Sequence, residues 1–263
     1  MKEEIDAVLF GNLFHYAIEL LYRPFENKTV EPEALMLLHG DKRRIEEVVL
    51  QSVAVKYFQM NPEDSSRVKL SGQSILIASH IRDYILQMLK NDIQFAPFRV
   101  VSLEKEYSTA YEVVSEDQTI QILIGGVVDR IDQTSDGLRI IDYKTGRNLK
   151  LDFKEWPQLV DRNYYDRRKE IFQTLIYSDI LDRSGIEEPI YPVIYKLDDL
   201  FQEEFVPNVI FQGEKLVFQH VGHEFRQVFS EVLSEMFSVG NRYEQTKDSQ
   251  KCSYCPYNKI CRR

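Results

Sequence analysis

The stretch GGVVDRIDQTSDGLRIIDYKTG, residues 125–146, constrains the fold more than any other part of the sequence. Alternating apolar and polar residues flank a polar turn, which predicts a β-hairpin centred between Ser135 and Asp136. In this register Asp129 lies directly opposite Asp142, and Lys144 projects from the same face two residues further on. Opposed Cβ atoms on one face are about 5 Å apart. The hairpin therefore gathers two carboxylates and one ammonium.

Two carboxylates this close repel each other by up to about 1 kcal/mol in a partly hydrated sheet. A divalent cation between them removes the repulsion, and oxygen ligands suit Mg²⁺ or Mn²⁺. The alternative is a solvent-facing pair in which Lys144 neutralises one acid. The apolar neighbours on the same face, Val127, Ile131 and Ile140, favour burial instead. A bulge in the hairpin would break this alignment.

The rest of the chain predicts helices around a sheet. Helical spacing of apolar residues predicts helices over Gly11–Tyr22, Glu31–Gly40, Lys42–Tyr57 and Gln73–Leu89. Further elements are predicted as strands over Arg99–Tyr111, Gln121–Asp132, Leu138–Tyr143 and Ile190–Leu197, and as helices over Arg167–Arg183 and Glu224–Val239. We expect an α/β fold with a mixed sheet flanked by helices. The predicted divisions are a helical region over residues 1–98, a core over 99–240 and a cysteine tail over 241–263.

Composition narrows the classes of function. The 263 residues include 33 Lys and Arg against 42 Asp and Glu, a net charge of −9 that argues against a broad basic surface coating DNA. No apolar run reaches the length of about 18 residues that a membrane span requires, and the N-terminus does not resemble a signal peptide. All three cysteines lie between residues 252 and 261, which favours a reducing cytoplasm over a disulfide framework.

The hairpin resembles the core of the PD-(D/E)XK nuclease superfamily, in its RecB-like exonuclease branch, which includes the nuclease domains of AddB-type helicase–nucleases. Asp129 matches the first metal-binding aspartate, and Asp142-Tyr143-Lys144 matches the D-x-K motif. Val128 stands where the superfamily's name has proline. The resemblance implies a restriction-endonuclease-like core in which both aspartates and the Tyr143 carbonyl bind the metal. It also implies that Lys144 positions or activates water and stabilises charge on the phosphate.

Two further motifs follow the same pattern. Gly11-Asn12-Leu13-Phe14-His15 fits the branch's G-x-x-x-H, which implies that His15 is a metal ligand. Gln173 and Tyr177 fit its Q-x-x-x-Y, and their spacing of four places them on one helix face. There they are expected to steer the lysine and contact the DNA backbone. The branch also carries a glutamate on the strand before the first aspartate, and Glu104 and Glu106 are both candidates.

A locally basic, tyrosine-containing stretch follows the hairpin. The residues proposed to contact nucleic acid are Arg147, Arg162, Tyr164, Tyr165, Arg167, Arg168 and Lys169. The tyrosines would stack on unpaired bases. The alternative is an ordinary solvated helix face.

The cysteine tail, Cys252-x₂-Cys255-x₅-Cys261, has the spacing of a metal or cluster site. In the resembling branch these three cysteines form part of a [4Fe–4S] site whose fourth ligand precedes the G-x-x-x-H helix. No cysteine precedes residue 252 here. We expect a fragment of a longer helicase–nuclease that lacks an intact cluster. The alternatives are zinc with His220 or His223, and a vestigial site.

The sequence predicts an Mg²⁺- or Mn²⁺-dependent deoxyribonuclease, an exonuclease acting on DNA in recombination and repair, with helicase domains or subunits as partners. One alternative is a non-catalytic DNA-binding or scaffold module of the same fold. Another is a small-molecule metal hydrolase that uses the same carboxylates.

Overall fold

The computed structural model describes residues 7–115, 118–146, 148–161, 164, 166–238, 245–246, 252–253, 255 and 257–261. These residues form a mixed α/β fold in which helices cover both faces of a five-stranded sheet. The predicted fold class is confirmed. None of the described helices combines the length and apolar character needed to cross a membrane.

Four helices precede most of the sheet: α1 (Ala7–Tyr22), α2 (Pro32–Gly40), α3 (Lys42–Ser52) and α4 (Gln73–Phe95). The apolar stripe that forms α1 is buried along its length. The predicted helix to Tyr57 ends as α-helix at Ser52 and continues as a π-turn. α4 continues past its predicted end at Leu89, because Asn91 and Asp92 are polar residues buried on its apolar face.

The larger sheet contains β1 (Thr29–Val30), β2 (Phe98–Ser115), β3 (Gln118–Thr134), β4 (Gly137–Lys144) and β6 (Ile190–Lys196). Its strands lie in the order β1–β2–β3–β4–β6, and within the described part of this sheet only β4 and β6 pair in parallel. A second, small sheet contains β5 (Asp152–Phe153), β7 (Ile210–Phe211) and β8 (Glu214–Lys215).

The hairpin register predicted from sequence is confirmed. β3 and β4 pair from Thr134 opposite Gly137 to Arg130 opposite Ile141, with the turn at Ser135 and Asp136. Gly137 has φ +141°, and a Cβ there would collide with the carbonyl oxygen of Pro189. Glycine is therefore required where the turn enters β4.

The second half of the chain adds the helices α5 (Pro157–Val160), α6 (Lys169–Arg183), α7 (Phe218–Phe237) and α8 (Asn258–Cys261). α7 begins earlier than the predicted start at Glu224. Its first turns bury Phe218 and Val221 beside Gly222, a residue of low helix propensity. Packing of the apolar side chains overrides that propensity.

Successive side chains of β4 point to opposite faces of the sheet, and two cores result. Ile141 and Tyr143 pack with α1, α3 and α4 on one face. Ile140 packs with α6 and α7 on the other. Asp142 and Lys144 share the face of Ile140, at the carboxyl end of β4, where α1 and α6 both approach.

Candidate active site

Asp129 and Asp142 lie on adjacent strands, just beyond the last paired residues of the hairpin. The Oδ2 atom of Asp129 accepts a hydrogen bond from the backbone N–H of Tyr143 at 2.7 Å, which holds the two strands together at this point. Asp142 is only 3% exposed. Burial, and then the charge of Asp129, raise the pKa of Asp142 to about 7. The predicted pairing of two acids is therefore present in the structure.

The expected burial of the surrounding apolar residues is correct for Ile131 and Ile140 and wrong for Val127. Val127 is 46% exposed. β4 pairs with β3 only from Arg130 onwards, so nothing in β4 covers the strand at residue 127.

Lys144 belongs to a chain of polar side chains that runs from β4 to α6. Its Nζ lies 3.0 and 2.8 Å from the two carboxylate oxygens of Asp142 and donates to Gln173 Oε1 at 3.0 Å. Gln173 Nε2 in turn donates to Tyr177 Oη at 3.0 Å. Burial disfavours the ammonium, but the charge and hydrogen bond of Asp142, together with the charges of Asp129 and Glu170, raise the pKa of Lys144. The structure thus connects Asp142, Lys144, Gln173 and Tyr177 through side-chain hydrogen bonds.

His15, from α1, reaches the same end of the sheet. Its Nδ1 lies 3.5 Å from Glu104 Oε1 and 3.5 Å from Asp129 Oδ1, and its Nε2 lies 3.2 Å from the Tyr143 carbonyl oxygen. Burial opposes protonation, but hydrogen bonds and charge from Asp129 and Glu104 raise the pKa of His15 to about 10. The imidazole therefore occupies the position of a cation among acids.

The structure distinguishes the two candidate glutamates. Glu104 joins His15, whereas Glu106 lies opposite Val127 and is exposed. Glu104 has φ +43°, and the pairs on either side of it are formed while the pair with Asp129 is not. A non-glycine residue in this conformation costs about 1–3 kcal/mol. Regular strand alternation does not distinguish Glu104 from Glu106, because it places both glutamates on the same face.

The donor set fits a divalent metal. His15, Glu104 and Asp129 offer ligand atoms that all lie within 4.8 Å of one another. Next to them, Asp142 Oδ2 is buried and accepts no hydrogen bond from any described residue, although the Lys144 ammonium is close. Asp142 Oδ2 lies 2.8 Å from that ammonium, so a divalent cation at this position would share the oxygen with Lys144. Carboxylates with one imidazole suit Mg²⁺ or Mn²⁺.

The residues predicted to contact DNA differ in accessibility. Arg147, Arg162 and Tyr165 lie outside the described residues, and Tyr164 donates to Glu155 Oε1 at 3.0 Å. Arg167 and Lys169 are exposed. The predicted contact through Arg168 is not supported, because that side chain is buried and its Nε donates to the Asp152 carbonyl at 3.1 Å. Its guanidinium fixes the loop before α6.

The cysteines of the tail do not converge on a common centre within the described part of the chain. Cys252, Cys255 and Cys261 are each half-buried. Among the described residues, the one group of three or more potential ligands with converging ligand atoms contains no cysteine. A [4Fe–4S] cluster takes four cysteines, and the chain has three. His220 and His223, the alternative zinc ligands, are exposed on α7 and belong to no such group within the described chain.

These features define the class of protein. It has an α/β fold with a mixed sheet flanked by helices, and the sheet carries a candidate divalent-metal site of carboxylates and an imidazole beside a hydrogen-bonded lysine. The chain belongs to the PD-(D/E)XK nuclease superfamily, a group of metal-dependent nucleases, whose family model matches residues 1–262.

Among curated proteins, no sequence matches the chain. Among solved structures, the chain is similar to one described as "Crystal structure of SSO0001", with 14% sequence identity and a TM-score of 0.28. The match covers 81% of this chain and 79% of that one. A TM-score this low supports no conclusion about function.

Proposed function

We propose that this chain is an Mg²⁺- or Mn²⁺-dependent deoxyribonuclease, an exonuclease of the RecB-like branch that hydrolyses DNA phosphodiesters. One observation carries the proposal: the His15–Glu104–Asp129 cluster and the Asp142–Lys144 pair converge where the pairing of β3 with β4 ends. Tyr143 connects the two groups, since its N–H binds Asp129 and its carbonyl faces His15.

The groups that would hold the metal are His15, Glu104, Asp129, Asp142 and the Tyr143 carbonyl oxygen. A bound divalent ion supplies Lewis-acid stabilisation of phosphate charge and lowers the pKa of water. The carboxylates of this chain provide the negative charge that attracts the ion. His15 is the ligand that α1 contributes from outside the sheet.

Lys144 is the proposed catalytic cation. Two of its hydrogen bonds, to Asp142 and Gln173, fix the position of its ammonium. From there a further N–H donates to the attacking water or to a phosphate oxygen, where it stabilises negative charge that develops during hydrolysis. Gln173 orients the ammonium, and Tyr177 orients Gln173 through its hydroxyl.

The wider context of the proposal rests on the order of the motifs from His15 to Tyr177. We place the enzyme in DNA recombination and repair in the cytoplasm, working with helicase domains or subunits. Arg167 and Lys169, exposed at the start of α6, are positioned to contact the DNA backbone. Tyr164 is the other described member of the proposed contact set. Contacts through Arg147, Arg162 and Tyr165 stay predictions from the sequence.

The proposal is tested by cleavage of end-labelled single- and double-stranded DNA with Mg²⁺ or Mn²⁺. Lys144→Met is expected to lower kcat/KM by about 10²–10³-fold, while the Kd for DNA changes by less than about threefold. Lys90→Met, at an exposed position on α4, serves as the control and should cleave like the wild-type protein. Equal cleavage by Lys144→Met and the wild-type protein would refute the catalytic role.

Exonuclease action has its own substrate comparison. Linear DNA is expected to be degraded from its ends, and covalently closed single-stranded circles are expected to stay intact under the same conditions. Cleavage of the circles would identify an endonuclease. If no DNA is cut while bis-p-nitrophenyl phosphate is hydrolysed, the DNA assignment is wrong and a small-molecule hydrolase takes its place.

A further inference from the structure

A cavity of about 330 Å³ lies where the end of α4, the β3–β4 turn, β6 and β8 meet. Its wall includes Phe95, Thr134, Arg139, Tyr191, Asn208 and Lys215. Arg139 and Asp142 are three residues apart on β4, so their side chains point to opposite faces of the sheet. The cavity is therefore separate from the acidic cluster.

Arg139 is a buried cation with an unused hydrogen-bond donor. Its guanidinium carbon lies 4.5 Å from the centroid of the Phe95 ring, and its Nη2 donates to Tyr195 Oη. Its Nη1 is buried and donates to no described residue. A buried guanidinium N–H without an acceptor is unfavourable, and it is the kind of group that a ligand oxygen satisfies.

Lys215 supplies a second cation to the same wall. Its Nζ lies 4.1 Å from the centroid of the Tyr191 ring, and Tyr191 is the register partner of Arg139 across β4 and β6. Burial lowers the pKa of Lys215, and the charge of Arg139 lowers it further while Asp136 opposes this. The described wall of the cavity holds two cations and the single carboxylate of Asp136. Behind the wall, the charges of Asp132 and Asp92 help to raise the pKa of Arg139, so the guanidinium stays protonated.

We propose that this cavity binds a small oxyanion of the phosphate-monoester class, held by the Arg139 guanidinium and the Lys215 ammonium. A guanidinium and an ammonium that line the same cavity can form charge-assisted hydrogen bonds to tetrahedral phosphate oxygens. The Asn208 amide adds a neutral donor to the wall. A volume of about 330 Å³ lies at the lower end of the range of small-molecule sites, so an organic group attached to the phosphate also fits.

The test measures the midpoint of thermal unfolding with increasing inorganic phosphate, at constant ionic strength, after passage of the protein over a chelating resin. At 10 mM phosphate the wild-type midpoint is expected to rise by about 3 °C, as binding to the folded state alone predicts. Lys215→Met should lose most of this rise. Lys42→Met, an exposed lysine at the start of α3, should keep it and controls for the general stabilising effect of phosphate salts.

Backbone amide NMR locates the binding independently of stability. Phosphate is expected to shift the signals of Asp136, Asn208 and Lys215 in the wild-type protein and to leave that of His15 in place. Replacing inorganic phosphate by a deoxynucleoside 5′-monophosphate distinguishes free phosphate from an ester: tighter binding identifies an organic monoester. Equal responses of Lys215→Met and the wild-type protein, or shifts confined to other residues, would overturn the proposal. None of these readouts depends on nuclease activity.

Discussion

The protein has two charged clusters that differ in burial and in how completely their charges are paired. On the α1–α4 face, Arg130 binds Asp92 at 2.8 Å and Asp132 at 2.6 Å, and all three side chains have no exposed surface. Tyr22 and Tyr195 donate their hydroxyls to Asp92, which leaves both of its oxygens occupied. The rings of Tyr22 and Phe98 stack on the guanidinium. We call these residues the closed cluster.

In the second cluster, at the end of β4, the acids outnumber the side chains that are always positively charged. Glu104, Asp129 and Asp142 face Lys144 and His15, and His15 carries charge only when it is protonated. Asp142 Oδ2 accepts no hydrogen bond from the described residues. Lys144 and His15 are each partly exposed. We call these five residues the open cluster.

The two clusters differ in whether their charges are balanced within the protein. The closed cluster satisfies its charges within the protein, so it serves the fold and has no donor set left for a ligand. The open cluster keeps repulsion that an added cation would relieve, so its folded geometry costs stability until that cation binds. Tyr143 connects the two clusters, because its carbonyl faces His15 and its hydroxyl lies 3.4 Å from Arg130 Nη1.

The largest expected effect comes from opening the closed cluster. Arg130→Met leaves two buried carboxylates without their cation, and loss of one partner from a buried ion pair costs about 3–5 kcal/mol. Urea denaturation of the chelator-treated protein measures the change in the free energy of unfolding. Arg43→Met is the control, because its ion pair with Glu47 lies on the surface and should contribute less than about 1 kcal/mol. A loss below 1 kcal/mol in Arg130→Met would mean that the cluster is not stabilising as a unit.

We expect the open cluster to make the free energy of unfolding depend on pH. In metal-free protein the folded-state pKa of Asp142 is raised to about 7, and that of His15 to about 10. Both groups bind more protons in the folded state, so the free energy of unfolding falls as pH rises. Asp142 contributes to the fall from about pH 4 to 7, and His15 from about pH 6.5 to 10.

Asp142→Asn separates the two contributions. The variant should lose about 1–2 kcal/mol of the fall between pH 5 and pH 7 and keep the fall between pH 7 and pH 9. Asp83→Asn, on the exposed side of α4, should retain the wild-type profile throughout. If Asp142→Asn and the wild-type protein have the same profile from pH 5 to 7, Asp142 does not carry the repulsion assigned to it.

The open cluster could be predicted in large part from sequence. Period-2 alternation and a polar turn fixed the hairpin register, and the register alone placed Asp129 beside Asp142. Helical spacing puts Gln173 and Tyr177 on one helix face, where they form a hydrogen bond. These features depend on residues close in sequence or on regular pairing, which local patterns encode. The contact of Gln173 with Lys144 and the place of His15 beside Asp129 follow from the family resemblance instead. The division into regions 1–98, 99–240 and 241–263 stays a prediction.

The remaining features depend on tertiary packing. Glu104 enters the open cluster through a left-handed backbone conformation inside a strand, which alternation does not encode. Arg130 and Asp132 resemble ordinary polar positions in the sequence, and only the packing of Asp92 from α4 turns them into a closed cluster. The same packing carries α4 beyond Leu89. Arg168 resembles a surface cation, but the loop before α6 buries it.

A smaller effect is expected when Tyr177 is displaced, because Tyr177 is connected to Lys144 through Gln173. A Cβ on Gly126 would lie 2.9 Å from Tyr177 Oη, so Gly126→Ala displaces the tyrosine and, through Gln173, the Lys144 ammonium. We expect kcat/KM to fall about tenfold, which corresponds to about 1.4 kcal/mol, with the affinity for Mn²⁺ unchanged. Gly40→Ala, where a Cβ would meet nothing within 4 Å, is the control. Weakened Mn²⁺ binding in Gly126→Ala would show that the metal ligands had moved instead.

The smallest effect is expected at the cysteine tail, and it sharpens the contrast with the open cluster. The ligand atoms of His15, Glu104 and Asp129 converge to within 4.8 Å, and no cysteine joins such a group among the described residues. Replacing Cys252, Cys255 and Cys261 together by serine should change the free energy of unfolding by less than about 0.5 kcal/mol, as for surface substitutions. Cleavage should change less than about twofold, below 0.5 kcal/mol.

The measurements are urea denaturation and DNA cleavage after anaerobic incubation with iron and sulfide, with the wild-type protein treated in the same way. A cluster in the wild-type protein would give broad visible absorbance that the serine variant lacks, and its loss would destabilise the variant. Finding both would mean that the three thiols converge on one centre, which their ligand atoms do not do among the described residues. Finding neither would leave the oxygen and imidazole donors of the open cluster as the ligand set that the described residues bring together.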